Sequence, residues 1–128
     1  MDKATLVGFD LEAGRELLRR LDQTEFKVVA ALWLYLPEFG EWRLWIASPV
    51  VDEEGIEGAY RRIQAILLKN SKRIPIDLAQ ITAVSPKDPF IRGLRRAFGK
   101  TASVEGMRLG GQPIGDRFIV EAYVYRIR

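Results

Sequence analysis

The 128-residue chain contains no cysteine and no histidine. Lack of cysteine removes the thiolate nucleophile and the disulfide. Lack of histidine removes Ser-His and Cys-His pairs, imidazole acid/base catalysis and the histidine pH switch. Zinc sites built from the usual ligands are excluded with them. No apolar run approaches the roughly 20 residues that a membrane-spanning helix requires, and no signal-like segment follows Met1-Asp2-Lys3. The expected location is cytoplasmic, with no membrane partner and no cofactor.

What remains is a chain of ordinary hydrophobicity and single-domain length, so residues 1–128 are read as one domain. A chain of this size buries roughly two thirds of its unfolded surface and needs no metal or disulfide to fold. Its 14 arginines outnumber its 6 lysines. The net charge of +3 is unevenly spread: residues 1–60 carry 6 bases and 12 acids, and residues 61–128 carry 14 bases and 5 acids. Three outcomes fit this segregation: a basic binding face, mutual neutralisation of the two halves, or head-to-tail self-association.

All three tryptophans lie in the stretch 26–49, FKVVAALWLYLPEFGEWRLWIASP. Both alternating sets of residues 28–36 are apolar, which predicts a strand covered on both faces. Pro37-Glu38-Phe39-Gly40 interrupts the run at strand length and predicts a four-residue turn. The register then pairs Leu36 with Glu41, Leu34 with Arg43 and Leu32 with Trp45 on one face. Trp33 falls opposite Leu44, and Tyr35 opposite Trp42, on the other. A slip of one residue would reverse these faces.

Helical spacing predicts a first helix over 10–22, capped by Asp10, with Ala13, Gly14, Leu17, Leu18 and Leu21 as its packed stripe. A second helix is predicted from a cap at Asp52, with Val51 and Ile56 forming a hydrophobic staple. Ile56, Ala59, Tyr60, Ile63, Ile66 and Leu67 form its buried face. Residues 81–84 read as a short strand. Asp88-Pro89 is a helix start, with Phe90, Leu94, Ala97 and Phe98 facing the core. Two further strands are predicted, near 104–109 and 117–127, separated by a loop through Gly110-Gly111-Gln112-Pro113. The fold class is α+β: a single two-layer domain whose mixed five-stranded sheet carries three helices mainly on one face, in the order α-β-β-α-β-α-β-β.

Gly99-Lys100-Thr101 resembles the end of a phosphate loop, but the position that needs glycine is Leu94 and the triplet closes a helix instead of opening one. The glycine-rich region Gly106 to Gly115 lacks the dinucleotide pattern and reads as a turn. Asp52, Glu53, Glu54 and Glu57 have no metal-loop spacing, and Asp77, Asp88 and Glu121 would have to meet in space to hold a cation. No catalytic or metal-ligating set is therefore assigned, and the reading leans away from an enzyme.

Two surfaces stand out. Trp33, Tyr35, Trp42, Tyr123 and Tyr125 share one sheet face. Such a face can stack bases, hold a small apolar ligand, form a dimer interface, or pack as core under a helix. Arg92, Arg95, Arg96 and Lys100 form one basic cluster, and Arg61, Arg62, Lys69, Lys72 and Arg73 form a second. If the two helices are neighbours they make one anion-binding surface; otherwise they are solvated exteriors. The leading expectation is a non-enzymatic interaction module, a homo-oligomer or the subunit of a protein partner, associating through the aromatic face. The alternatives are a nucleic-acid-binding accessory protein that uses the basic helical surface, and a carboxylate- and metal-dependent enzyme.

Overall fold

The fold is that of a computed structural model, which describes residues 5–99 and 104–128. Three helices, α1 (Gly8–Asp22), α2 (Val50–Lys69) and α3 (Pro89–Phe98), combine with five strands. These are β1 (Ala30–Leu36), β2 (Glu41–Ala47), β3 (Ile81–Val84), β4 (Met107–Ile114) and β5 (Arg117–Ile127). The strands form one mixed sheet in the order β3-β2-β1-β5-β4, in which only the β2–β3 pair is parallel. Element order and sheet are those expected from the sequence.

Strand β1 is the centre of the sheet, which explains why both of its faces are apolar. Its register with β2 is the expected one, from Leu36 opposite Glu41 to Leu32 opposite Trp45. Ala31 and Trp33 join one buried cluster with α1 and α2, and Leu32 and Leu34 join a second with α3. The sheet is therefore covered on both faces. Two of the three helices, α1 and α2, lie on one face, and α3 adds a partial layer on the other.

The β4–β5 hairpin completes that second cover. Pairing between β1 and β5 ends at Leu34 and Ala122, so residues 117–121 pair with β4 alone. The free arm turns across the second face. It buries Ile114 and Ile119 against Phe90 and Leu94, and sets the Arg117 guanidinium 5.0 Å from the Trp45 ring centre. Its two-residue turn is Gly115-Asp116, between the paired Ile114 and Arg117. Gly115 has φ 59°, as the first position of a primed hairpin turn requires. The expected loop at Gly110-Gly111-Gln112-Pro113 is thus strand, and the chain reverses two residues later.

Two helix starts also differ from expectation. Asp10 is the third helical residue of α1, and its Oδ2 accepts from the N–H of Val7 at 3.0 Å, as the inner residue of a capping box does. Helix α2 begins at Val50, and Gly55 breaks it with φ 80° and ψ 166°. The break turns Ile56 out to solvent, 51 % exposed, so the expected staple does not form. Ala59, Ile63 and Leu67 keep their buried positions. At α3 the expected cap is present: Asp88 Oδ1 accepts from the N–H groups of Phe90 and Ile91 at 2.9 and 3.4 Å. Phe90 and Leu94 are buried as expected, whereas Ala97 is exposed and Phe98 half-buried.

A bulge in β5 fixes α1 to the sheet. Ala31 faces Arg126 and Leu32 faces Val124, leaving Tyr125 as the extra residue. The Tyr125 hydroxyl accepts from Trp33 Nε1 at 2.9 Å and donates to the Leu11 carbonyl at 2.7 Å. Burial raises its pKa above the ordinary phenol value, so it stays a donor throughout the neutral range.

Candidate nucleic-acid interface

The expected aromatic interaction face is core. Trp33 is fully buried, Trp42, Tyr123 and Tyr125 are buried, and Tyr35 is half-buried, all beneath α1 and α2. Tyr35 packs on Trp42 with ring centres 5.5 Å apart, and Tyr123 on Tyr125 at 5.4 Å. Two amphipathic helices pack on this side, and the rings supply the apolar surface that they bury. They offer no partner an open sheet.

The two basic clusters are also separated. Arg61, Arg62 and Lys69 belong to α2, and Lys72 and Arg73 to the turn after it, on the α1 side of the sheet. Arg92, Arg95 and Arg96 belong to α3 on the opposite side. The single continuous surface that neighbouring helices would have formed is absent. Lys100 and Thr101 lie outside the described residues, and Gly99 caps the end of α3.

Of the two basic clusters, only Arg62 is in an ion pair among the described residues; most paired cations lie elsewhere. On α1, Arg15 is paired with Glu12, while Arg19 and Arg20 both hydrogen-bond Glu16 and draw its carboxyl pKa down to about 2. Arg62 of α2 pairs with Glu54 at 2.6 Å across the Gly55 break. Arg126 holds Asp22 through two hydrogen bonds of 2.8 and 2.6 Å, chiefly through which the Asp22 carboxyl is held below its usual range. The acidic half therefore neutralises mainly its own arginines and Arg62. Asp22–Arg126 and Arg15–Glu105 are the long-range exceptions among the described residues.

None of Arg92, Arg95 and Arg96 forms an ion pair with a described residue, and all three are exposed. The sequence explains this: α3 contains no acid, and its spacing puts every cation on the face turned from Phe90 and Leu94. Arg95 Nε donates to the Arg128 carbonyl at 2.6 Å, which joins α3 to the end of β5. No family model, curated protein or solved structure matches the chain.

Two clefts flank the α3 cations. One, of about 450 Å³, places Lys87 and Arg92 together with Arg95. The other, of about 630 Å³, places Lys27 and Arg128 together with Arg95. Arg95 borders both, so cations run from the loop before α3, along the helix, to the end of the sheet, with Asp52 and Glu53 in the first cleft and Asp22 in the second. Lys27 and Lys87 are isolated cations in the sequence, and Arg128 has only Arg126 near it; the fold gathers the three beside Arg95.

Among the described residues, no three of the Asp and Glu side chains stand close enough to hold a metal ion. Asp88 caps α3, and Asp77 starts a short 3₁₀ turn at Leu78–Gln80. No helix among the described residues is long and apolar enough to cross a membrane. The chemistry offered by the α3 surface is that of guanidinium and ammonium groups free to meet phosphate oxygens.

Proposed function

We propose that the protein is a nucleic-acid-binding module whose α3 surface, Arg92, Arg95 and Arg96 with Lys27, Lys87 and Arg128, contacts the phosphate backbone. The observation that carries this reading is the gathering of Lys27, Lys87 and Arg128 by the fold beside three exposed arginines of α3 that form no ion pair with a described residue. The arginines of α1 and Arg62 of α2 already hold carboxylates; those of α3 hold none among the described residues, and nor do Arg61, Lys69, Lys72 and Arg73 on the other side of the sheet, the last three of which serve as the comparison below. An unpaired row of guanidinium groups is favourable for a polyanion because each contact releases a condensed counterion. Self-association through the aromatic sheet face is not carried forward, since those rings are packed within the domain.

The test is a pair of triple variants, measured by fluorescence anisotropy with a labelled oligonucleotide at low salt. Replacing Arg92, Arg95 and Arg96 by alanine is expected to weaken binding by roughly tenfold or more. Replacing Lys69, Lys72 and Arg73 by alanine removes the same charge from the other side of the sheet, and is expected to change binding several-fold less. Equal losses in the two variants would show that net charge, and not the α3 surface, governs binding.

A further inference from the structure

The cleft beside Arg92 is not uniformly basic. Lys87, Arg92 and Arg95 supply its cations, Asp52 and Glu53 form an acidic wall, and Pro49 and Pro86 complete the lining. The acidic wall is built by the fold. The Gly55 break sets the first turn of α2 apart from the rest of the helix, and Ser85 Oγ lies 2.9 Å from both carboxylate oxygens of Asp52. Glu53 is exposed and has no hydrogen bond or ion pair to a described residue.

Such a cleft holds phosphate on its cationic side only, because the two carboxylates repel it on theirs. It suits a group that is anionic at one end and a hydrogen-bond donor at the other, with flat apolar faces between. An unpaired nucleotide has that form. Its phosphate meets Arg92 and Arg95, its base lies against the two prolines, and an exocyclic amino group donates to Glu53. Carboxylates accept from the cytosine amino group in this way when they read base edges. In a duplex that edge is paired and the stack excludes a side chain from the base faces. Thymine and uracil carry no exocyclic amino group.

We infer that this cleft seats one unpaired base bearing an exocyclic amino group, so that the module binds single strands and prefers cytosine over thymine. The inference rests on the reading of α3 as a nucleic-acid surface. Glu53 supplies the acceptor.

The experiment uses the full chain and labelled oligo-dC, oligo-dT and a dC·dG duplex of equal length. The wild-type protein is expected to bind oligo-dC roughly fivefold or more tightly than oligo-dT, and to bind the duplex more weakly than oligo-dC. Glu53→Ala removes charge and acceptor together; it is expected to strengthen binding of oligo-dT and bring the dC-to-dT ratio close to one. Glu53→Gln keeps an acceptor oxygen and is expected to retain a preference for oligo-dC. If Glu53 only repels phosphate, Glu53→Ala will strengthen both complexes by the same factor and leave the ratio unchanged, which overturns the inference. Equal wild-type affinity for dC and dT overturns it also, while leaving the α3 surface standing. Absence of binding to any of the three overturns both.

Discussion

Gly93→Ala is expected to destabilise the protein by roughly 3 kcal/mol, although alanine is the better helix former by about 1 kcal/mol. The reason is the β4–β5 arm. A Cβ at position 93 would lie 2.6 Å from the Gly115 nitrogen and 2.8 Å from its Cα, and both are backbone atoms. No rotamer change relieves such a contact. Either α3 or the arm must move, and together they cover Trp45, Ile114 and Ile119 on the second face. Gly115 has no slack to give, because its own position for a Cβ is 2.4 Å from the Pro89 carbonyl oxygen. Urea unfolding, followed by tryptophan fluorescence, measures the change. A midpoint equal to or above that of the wild-type protein would mean that α3 and the arm do not meet as closely as described.

Gly14→Ala is the corresponding test on the first face, with an expected loss of about 2–3 kcal/mol. The new Cβ would stand 2.3 Å from the Tyr125 hydroxyl oxygen and 2.9 Å from Tyr125 Cζ. A side chain tip can usually swing aside. This one is fixed by the bulge in β5 and by its bonds to Trp33 Nε1 and the Leu11 carbonyl. Displacing it leaves a buried indole N–H without a partner, which costs about 1–3 kcal/mol. Tyr125→Phe alone carries that same penalty. The double variant Gly14→Ala/Tyr125→Phe is therefore expected to be less destabilised than the sum of the singles, by about 1 kcal/mol or more, as residues in contact behave. Strict additivity would show that Gly14 and Tyr125 act independently.

The two glycines show where sequence reasoning reached its limit. Gly14 was legible as a close approach between helix and sheet, because it interrupts a leucine stripe. Its partner was not, since the bulge that re-aims Tyr125 leaves no local signature. Around the arm, the cluster Gly110-Gly111-Gln112-Pro113 outweighed the two-residue signal Gly115-Asp116, which the paired Ile114 and Arg117 bracket. Pairing decided the outcome: Gly and Pro weaken a strand, yet eight residues opposite β5 still hold β4 in the sheet.

The first hairpin, by contrast, was readable to its register. Pro37 and Gly40 fix the turn length, and each alternating set on β1 has its own buried cluster. The sides of the sheet were harder. Nothing in the pattern of α3 states which face it returns to, and that choice separates Arg92, Arg95 and Arg96 from the basic end of α2. The same choice brings Lys27, Lys87 and Arg128 beside them, from positions outside either basic cluster of the sequence. Trp33, Trp42, Tyr123 and Tyr125 lie in one buried cluster, and α1 and α2 make that face the interior.

The central claim is that the unpaired α3 cations meet phosphates, and the salt dependence of binding tests it most directly. For a single strand, the logarithm of the association constant falls with the logarithm of salt concentration at about 0.7 per neutralised phosphate. Engagement of Arg92, Arg95 and Arg96 with one or two of Lys27, Lys87 and Arg128 gives an expected wild-type slope of roughly −3. The Arg92→Ala/Arg95→Ala/Arg96→Ala variant should be shallower by about 2. A wild-type slope near zero, or one that the triple variant leaves unchanged, would contradict the assignment of the α3 surface to nucleic acid.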